Sequence, residues 1–275
     1  MTPKKELEYL KGYIKLSERE AVKRDLLEGF LENRDKVLLL DADSLLFSVC
    51  HYHLDKVGNT YDFELMYDDY HTQLRSIVNA IEDEEFNIEQ IVHFFSTCTN
   101  NFRYEIYPEY KANRERTPLT ELVYLFKGWV IDELRNDGEY VSTSDEYEAD
   151  DLIAQAVEVM EEHYPIVASI DKDLKQIPCC HFDYYKVKVG VDEFGEPVRA
   201  FRGFEYTTPY EGRIKLLKML LTGDSADGIK GVSGIGKVKA EKALNGKSEF
   251  IQLLTVARLY NDMKRLRTNI KLMKL

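Results

Sequence analysis

Acidic side chains fall in four short groups that could share one chemistry: Asp41 and Asp43; Glu148, Asp150 and Asp151; Asp171 and Asp173; Asp224 and Asp227. The first group ends the apolar run "VLLLDADSLLF", and three readings compete for it: a phosphoryl-accepting nucleophile, a pair of metal ligands, or a polar stop to a buried strand. Each group also has an ordinary structural reading. Asp145 with Glu148 fits a capping box, Asp171 can cap the helix after its strand, and Asp224 suits a turn after Gly223. Taken together, converging carboxylates raise one another's pKa unless a cation neutralises them. Mg²⁺ or Mn²⁺ suits such an all-oxygen set, and two ions about 4 Å apart can clamp an in-line displacement at phosphorus. Hydrolysis of a phosphodiester is the chemistry this implies. The nucleophile reading is weakened by Leu45, which stands where a dehalogenase-like phosphatase motif carries Thr or Val.

Two stretches could hold phosphates. In "LTGDSADGIKGVSGIGKVKAEKAL", residues 221–244, a helix ends at Gly223, the loop carries Asp224 and Asp227, and the glycine-rich "GVSGIG" opens a second helix bearing Lys237, Lys239 and Lys242. Glycines admit a phosphate close to the backbone, and the amides that open a helix attract an anion. In "FRYEIYPEYKANRER" the cations Arg103, Lys111, Arg114 and Arg116 alternate with Tyr104, Tyr107 and Tyr110. Cations there can neutralise a scissile phosphate while aromatic rings stack on bases, although an ordinary surface loop has the same composition.

The elements that must position these groups follow from periodicity. "KVLLLD", "IEQIVHFFS" and "PIVASI" read as buried strands, and helical patterns run over about 63–85, over 119–136 and over the stretch opened by "SDEYEADDLIAQAVEVMEEH". Strands alternating with helices predict an α/β fold with a mostly parallel sheet, whose sites lie at the carboxyl edge of the strands. "EYVST" predicts a further short strand, and 183–204 a β-hairpin. Residues 5–33 carry helical spacing, and the chain beyond Glu211 reads as helical with no strand pattern.

The chain has 275 residues and a formal charge of −12. Residues 211–275 hold 14 Lys and Arg against 6 Asp and Glu, which leaves −20 on the first 210. A basic module on an acidic body can meet phosphates locally while the acids serve metals. No run of ~18 apolar residues and no signal-peptide core is present, so no membrane partner is expected and a cytoplasmic location is. The four cysteines lack zinc spacing and read as small buried thiols.

"YPEYKANR", "EYEADDLIA", "SIDKDLKQI" and "LTGDSADGIKGVSGIG" resemble, in order, the motifs of the 5′-nuclease superfamily of flap endonucleases and 5′-to-3′ exonucleases. With "LLLDADSLLF" the chain is most similar to the replication exonucleases of T-odd bacteriophages, over about residues 37–244. The resemblance implies a PIN-like core with parallel sheet and flanking helices over 36–210, an arch or clamp around 100–145, and a helix-three-turn-helix module over 211–275; the N-terminal helical extension over 1–35 comes from the helical spacing and lies outside the match. It implies that Asp41, Glu148, Asp150 and Asp151 surround a first Mg²⁺ or Mn²⁺, and Asp171, Asp173, Asp224 and Asp227 a second. Lys111 and Arg114 would contact the scissile phosphate, and Tyr110 would stack on the terminal base. Arg103, Tyr107, Lys230, Gly231, Gly234, Gly236, Lys237 and Lys239 complete the expected DNA contacts, with K⁺ at the hairpin.

One position departs from that pattern: many members end the second strand with Asp, and this chain has Ser96. Alternation along an extended strand would put Asp43 on the same side as Asp41, where it compensates as a metal ligand. The expected activity is metal-dependent 5′-to-3′ exonuclease and flap cleavage of DNA with 5′ ends, flaps or nicks. RNA–DNA hybrids are a further expected substrate. The enzyme would act as a monomer, alongside replication proteins, in the cytoplasm of a phage-infected host. Two other readings stay open: a catalytically weak binder of branched DNA and a PIN-type ribonuclease.

Overall fold

The run from Val37 to Leu40 forms the centre of strand β1 (Asp35–Asp41), in which Leu38, Leu39 and Leu40 are wholly buried. Side chains buried on both faces contribute about 1.5–3 kcal/mol each and require layers above and below. The computed structural model describes residues 29–275 except 31, 55–60, 84–85, 161–164, 185–187, 192–196 and 201–203. Most of the helical pattern expected over residues 5–33 lies outside the described residues. Two compact units are present.

The first unit comprises 33–102 and 114–207. β1 pairs in parallel with β2 (Asn87–Ser96) on one side and β4 (Ile166–Ala168) on the other. β3 (Tyr140–Ser144) extends the sheet in parallel beyond β2, and β5 (Cys180–Phe182) beyond β4. β8 (Phe204–Tyr206) closes the far edge antiparallel to β5, giving the order β3-β2-β1-β4-β5-β8. The expected α/β class with a mostly parallel sheet is therefore present. The hairpin read over 183–204 is present as β6 (Lys188–Val191) paired antiparallel with β7 (Pro197–Ala200).

The chain leaves β1 toward β2 and returns to β4, so the strand order reverses between β1 and β4. At such a switch point the loops after neighbouring strands diverge and open a crevice at the carboxyl ends. The helix Ala149–Val159 covers one face, where Ala149, Ile153 and Val157 pack with Leu39, Phe94 and Val167. Helices Ala42–Leu54, Phe63–Glu82 and Pro118–Asn136 pack against one another, with the Phe63, Phe126 and Trp129 rings in mutual contact.

The helix Ala42–Leu54 corrects one expectation. Asp43 is not on an extended strand beside Asp41; it stands in the first turn of this helix. The cause is local: Asp41 Oδ1 accepts from the Ser44 amide at 3.3 Å, capping the helix as β1 ends. Leu45, Leu46, Val49, Cys50 and His53 then fall on one buried stripe.

The second unit comprises 208–274 with 103–113. Its helices are Pro209–Thr222, Lys237–Leu244, Glu249–Tyr260 and Met263–Met273, the first, third and fourth capped by Thr208, Ser248 and Asp262 side chains. Leu217, Leu220, Leu221, Leu244, Val256 and Leu266 form its core. A two-residue ladder, β9 (Gly223–Asp224) against β10 (Ile229–Lys230), departs from the all-helical reading of this segment. No helix among the described residues is long and apolar enough to cross a membrane.

Candidate functional site

Asp41 ends β1 at the switch point and is 3% exposed. Ser44 Oγ and Ser169 Oγ donate to its Oδ2 at 2.5 and 2.6 Å. Burial pushes its pKa up to about 6; the two serine hydroxyls pull it down, and the neighbouring Asp43 charge pushes it up. Ser169, one residue beyond β4, also accepts from the Asp171 amide at 2.9 Å, and Asp171 Oδ1 accepts from the Asp173 amide at 2.7 Å. The segment after β4 is thereby tied to the carboxylate that ends β1. Asp171 is exposed and Asp173 half-buried.

Glu148 is the N-cap of the Ala149 helix, and its amide donates to Asp151 Oδ2 at 3.1 Å. The cap expected at Asp145 is corrected by this: Asp145 lies on an exposed bend ahead of the helix. The order follows from Ala149 being buried against the sheet, which starts the helix there and leaves Glu148 to Asp151 as its first turn. Ser96 Oγ accepts from the Ala149 amide at 2.9 Å. Asp43 faces Ser96 and Lys127: Oδ2 accepts from the Ser96 amide at 2.9 Å, and Lys127 Nζ lies 2.5 Å from Oδ1.

Among the described residues, no three His, Cys, Asp or Glu side chains are gathered as they would be around a bound ion. The donor chemistry nevertheless fits a hard cation. The acids of this unit offer only carboxylate oxygens, and Asp41 is a buried carboxylate whose ionised form a positive charge would stabilise. Arg114 is exposed in this unit.

In the helical unit, Asp224 Oδ1 accepts from the Ala226 amide at 2.8 Å and the Asp227 amide at 3.4 Å, so the turn reading of Asp224 holds locally. Residues 103–113 brace that turn. Tyr110 Oη donates to Asp227 Oδ2 at 2.9 Å, the Lys111 amide to Asp227 O at 3.1 Å, and Asn113 Nδ2 to Ser225 O at 2.8 Å. Lys111 adopts φ 56°, a left-handed conformation unusual for lysine, with its ammonium 4.9 Å from the Tyr110 ring centroid.

Two expected DNA contacts are corrected here. Tyr110 is 2% exposed inside the core of this unit, so its ring is not available to stack on a base. Arg103 is equally buried, and its Nε donates to Leu272 O at 2.9 Å. Both belong to a packed helix-and-turn segment, where these two side chains of the alternating set serve an interior. Tyr107 is half-buried against the same core.

Gly223 and Gly231 approach so closely that a Cβ on either would meet the other's backbone nitrogen at 2.4 or 2.3 Å. Gly231 is thus demanded by packing. Gly234 and Gly236 have open space where a Cβ would stand. Lys230, Lys237 and Lys239 are exposed, and Lys239 Nζ donates to Gly234 O at 2.9 Å.

Sequence reasoning missed Ser44, Ser169 and Lys127. The two serines carry a faint signal, each falling two or three residues from an acid at a strand end. Lys127 is a lone cation in the middle of a largely apolar helix, and only its partner, 84 positions away, gives it meaning.

The family model described as "5′-3′ exonuclease, N-terminal resolvase-like domain" matches residues 36–199. DNA polymerase I of Bacillus caldotenax is 32% identical over 224 residues, which are 77% of this chain and 23% of that protein. A 5′-3′ exonuclease of Mycoplasma pneumoniae is 29% identical over 61% of this chain and 57% of its own length. The chain thus spans about a quarter of that polymerase and little more than half of that exonuclease. In fold it is similar to the solved T5 5′-exonuclease with divalent zinc bound, at TM-score 0.60 and 20% identity over 88% of this chain and 90% of that one. With the Asp41 carboxylate tied through Ser169 to the segment after β4 at a switch point, and the family model covering most of the α/β unit, this chain belongs to the 5′-3′ exonuclease family.

Proposed function

We propose that the chain is a metal-dependent 5′-to-3′ exodeoxyribonuclease that also cleaves 5′ flaps. The observation that carries this is the junction of Asp41 with Ser169 and the Asp171 segment, where a buried carboxylate meets the loop after β4. Asp41, Glu148, Asp150 and Asp151 would hold one Mg²⁺ or Mn²⁺, and Asp171 and Asp173 a second. We extend the ligand assignment to Asp224 and Asp227 on their own turn. Such ions, when bound, neutralise charge at the scissile phosphate and lower the pKa of a water.

The protein's own groups would do the rest. Ser44 and Ser169 hold Asp41 in one orientation through its Oδ2. Lys111 is held by its backbone to Asp227 O, and Lys111 and Arg114 would each contact the scissile phosphate. Lys230, Lys237 and Lys239 would hold duplex phosphates without reading sequence. The T5 D15 flap endonuclease solved with DNA and metal ions shares this fold and motivates flapped DNA as the substrate. RNA–DNA hybrids, K⁺ at the hairpin, replication-protein partners, a monomeric state and work in a phage-infected bacterial cytoplasm complete the proposal.

A 5′-flapped duplex, labelled in turn at each end of the flap strand and incubated with Mg²⁺, Mn²⁺ or EDTA, tests it on a denaturing gel. Shortening from the 5′ end or release of the flap, in the metal lanes alone, is expected. Intact DNA in every lane with a shift on a native gel would replace the nuclease with a binder of branched DNA. Preference for single-stranded RNA over flapped DNA would favour a ribonuclease.

A further inference from the structure

Asp43 stands among the acids at the carboxyl edge of the sheet, yet both of its oxygens are committed to protein groups. Oδ2 accepts from the Ser96 amide at 2.9 Å. Oδ1 is closed to solvent, has no aligned hydrogen-bond donor, and lies 2.5 Å from Lys127 Nζ. The pair is only 17% exposed on the Lys127 side chain and 25% on Asp43. Lys127 also donates to Ser96 O at 3.0 Å. Ser96 is therefore gripped at both of its peptide groups, its N–H by the carboxylate and its C=O by the ammonium.

The hydroxyl of Ser96 extends this bracket to the Ala149 amide, at 2.9 Å. That amide opens the helix carrying Asp150 and Asp151, and the first amides of a helix have no partner within it. The serine ending β2 thus fixes the start of the acid-bearing helix against the sheet. A metal reaching Asp43 Oδ1 would have to displace Lys127 and release that grip.

We propose that Asp43 is not a metal ligand but forms with Lys127 an internal ion pair, a positioning device that holds Ser96 and through it Glu148, Asp150 and Asp151. The place a cation would take at Asp43 is filled by the protein's own ammonium, so the metal site is built from the remaining acids. This rests on the proposed metal-dependent nuclease, and the test separates the two.

Crystals soaked in Mn²⁺ and measured at its absorption edge locate the ion by anomalous scattering. Manganese is expected beside Asp41 and the Ala149 helix, with Asp43 still on Lys127. An Asp43 oxygen about 2 Å from manganese would overturn the inference. A wild-type crystal that takes up no manganese at the acids would overturn the proposed function instead. The second arm needs no metal: amide hydrogen exchange of Ala149 and its neighbours in the metal-free protein. The Asp43→Asn, Lys127→Met double variant removes both charges together, and exchange there should quicken by about 5- to 10-fold, as for a lost hydrogen bond of ordinary strength. Ser96→Ala should match it and carries this arm if the double variant does not fold. Unchanged exchange in the variant measured would overturn the positioning role.

Discussion

Asp41 shows what the site asks of a single side chain. Burial lifts its pKa from 3.8 to about 6, so the folded protein holds this proton more tightly than the unfolded chain does. Its stabilising contribution is complete below pH 4 and is lost as pH rises through about 6. Near pH 7.5 the ionised, buried carboxylate costs on the order of 3 kcal/mol relative to acid conditions. Asp41→Asn removes that charge at nearly constant size and should raise the melting temperature of the α/β unit at pH 7.5 by roughly 6 to 12 °C. At pH 4 the two proteins should melt together. Mg²⁺ should raise the wild-type melting temperature at pH 7.5 and leave the variant where it is. Thermal melts at the two pH values check this, and equal differences at both would contradict the electrostatic cause. Asp41 as an acid ending a strand is readable from a sequence; Ser169, which orients it from 128 positions away, is not.

At the scale of elements, the strands were the most legible part. Leu38 to Leu40 and Ile166 to Ala168 are continuous apolar runs because they are buried on both faces, and no other local structure of that length explains them. The helix Ala42–Leu54 is harder to see because apolar residues flank Asp41 and Asp43 on both sides. Its stripe of Leu45, Leu46, Val49 and Cys50 is legible only once the chain is known to turn at Ala42. Arg103 and Tyr110 mislead for a similar reason, since their partners Leu272 and Asp227 are remote in sequence. The hairpin glycines are legible as glycines, but their reasons differ. Gly231→Ala would drive a methyl into the Gly223 nitrogen, the Thr222 carbonyl carbon and the Leu221 oxygen, all within 2.5 Å and all backbone. Nothing there can swing aside, so the helical unit should lose about 3 kcal/mol or more. Gly236→Ala meets open space and should cost about 1 kcal/mol or less. Urea unfolding of the two variants distinguishes them, and equal losses would remove the close approach as the cause.

At the scale of the whole molecule, a net charge of −12 describes neither end of the chain. Asp41, Glu148, Asp150, Asp151, Asp171 and Asp173 stand at or after the carboxyl ends of strands in the α/β unit, while residues 211–275 carry 14 Lys and Arg against 6 Asp and Glu, a local excess of the sign that attracts phosphates. Lys237 and Lys239 are exposed at the start of the Lys237–Leu244 helix, whose N-cap Gly236 leaves its first amides without a side-chain cap. Positive charge, free amides and the helix dipole act there in the same direction on an anion. None of the three reads a base. Replacing both lysines with Ala should therefore weaken duplex binding by about 10-fold near 0.1 M salt, equally for every sequence, and lower the dependence of log K on log salt by roughly 2. Fluorescence anisotropy with two unrelated duplexes over a salt series measures both quantities. The acids proposed as metal ligands are untouched in this variant, so cleavage at saturating DNA should keep its rate while the half-saturating concentration rises. A loss confined to one duplex would assign these lysines to sequence recognition, and an unchanged salt slope would move the phosphate contacts elsewhere on the basic unit.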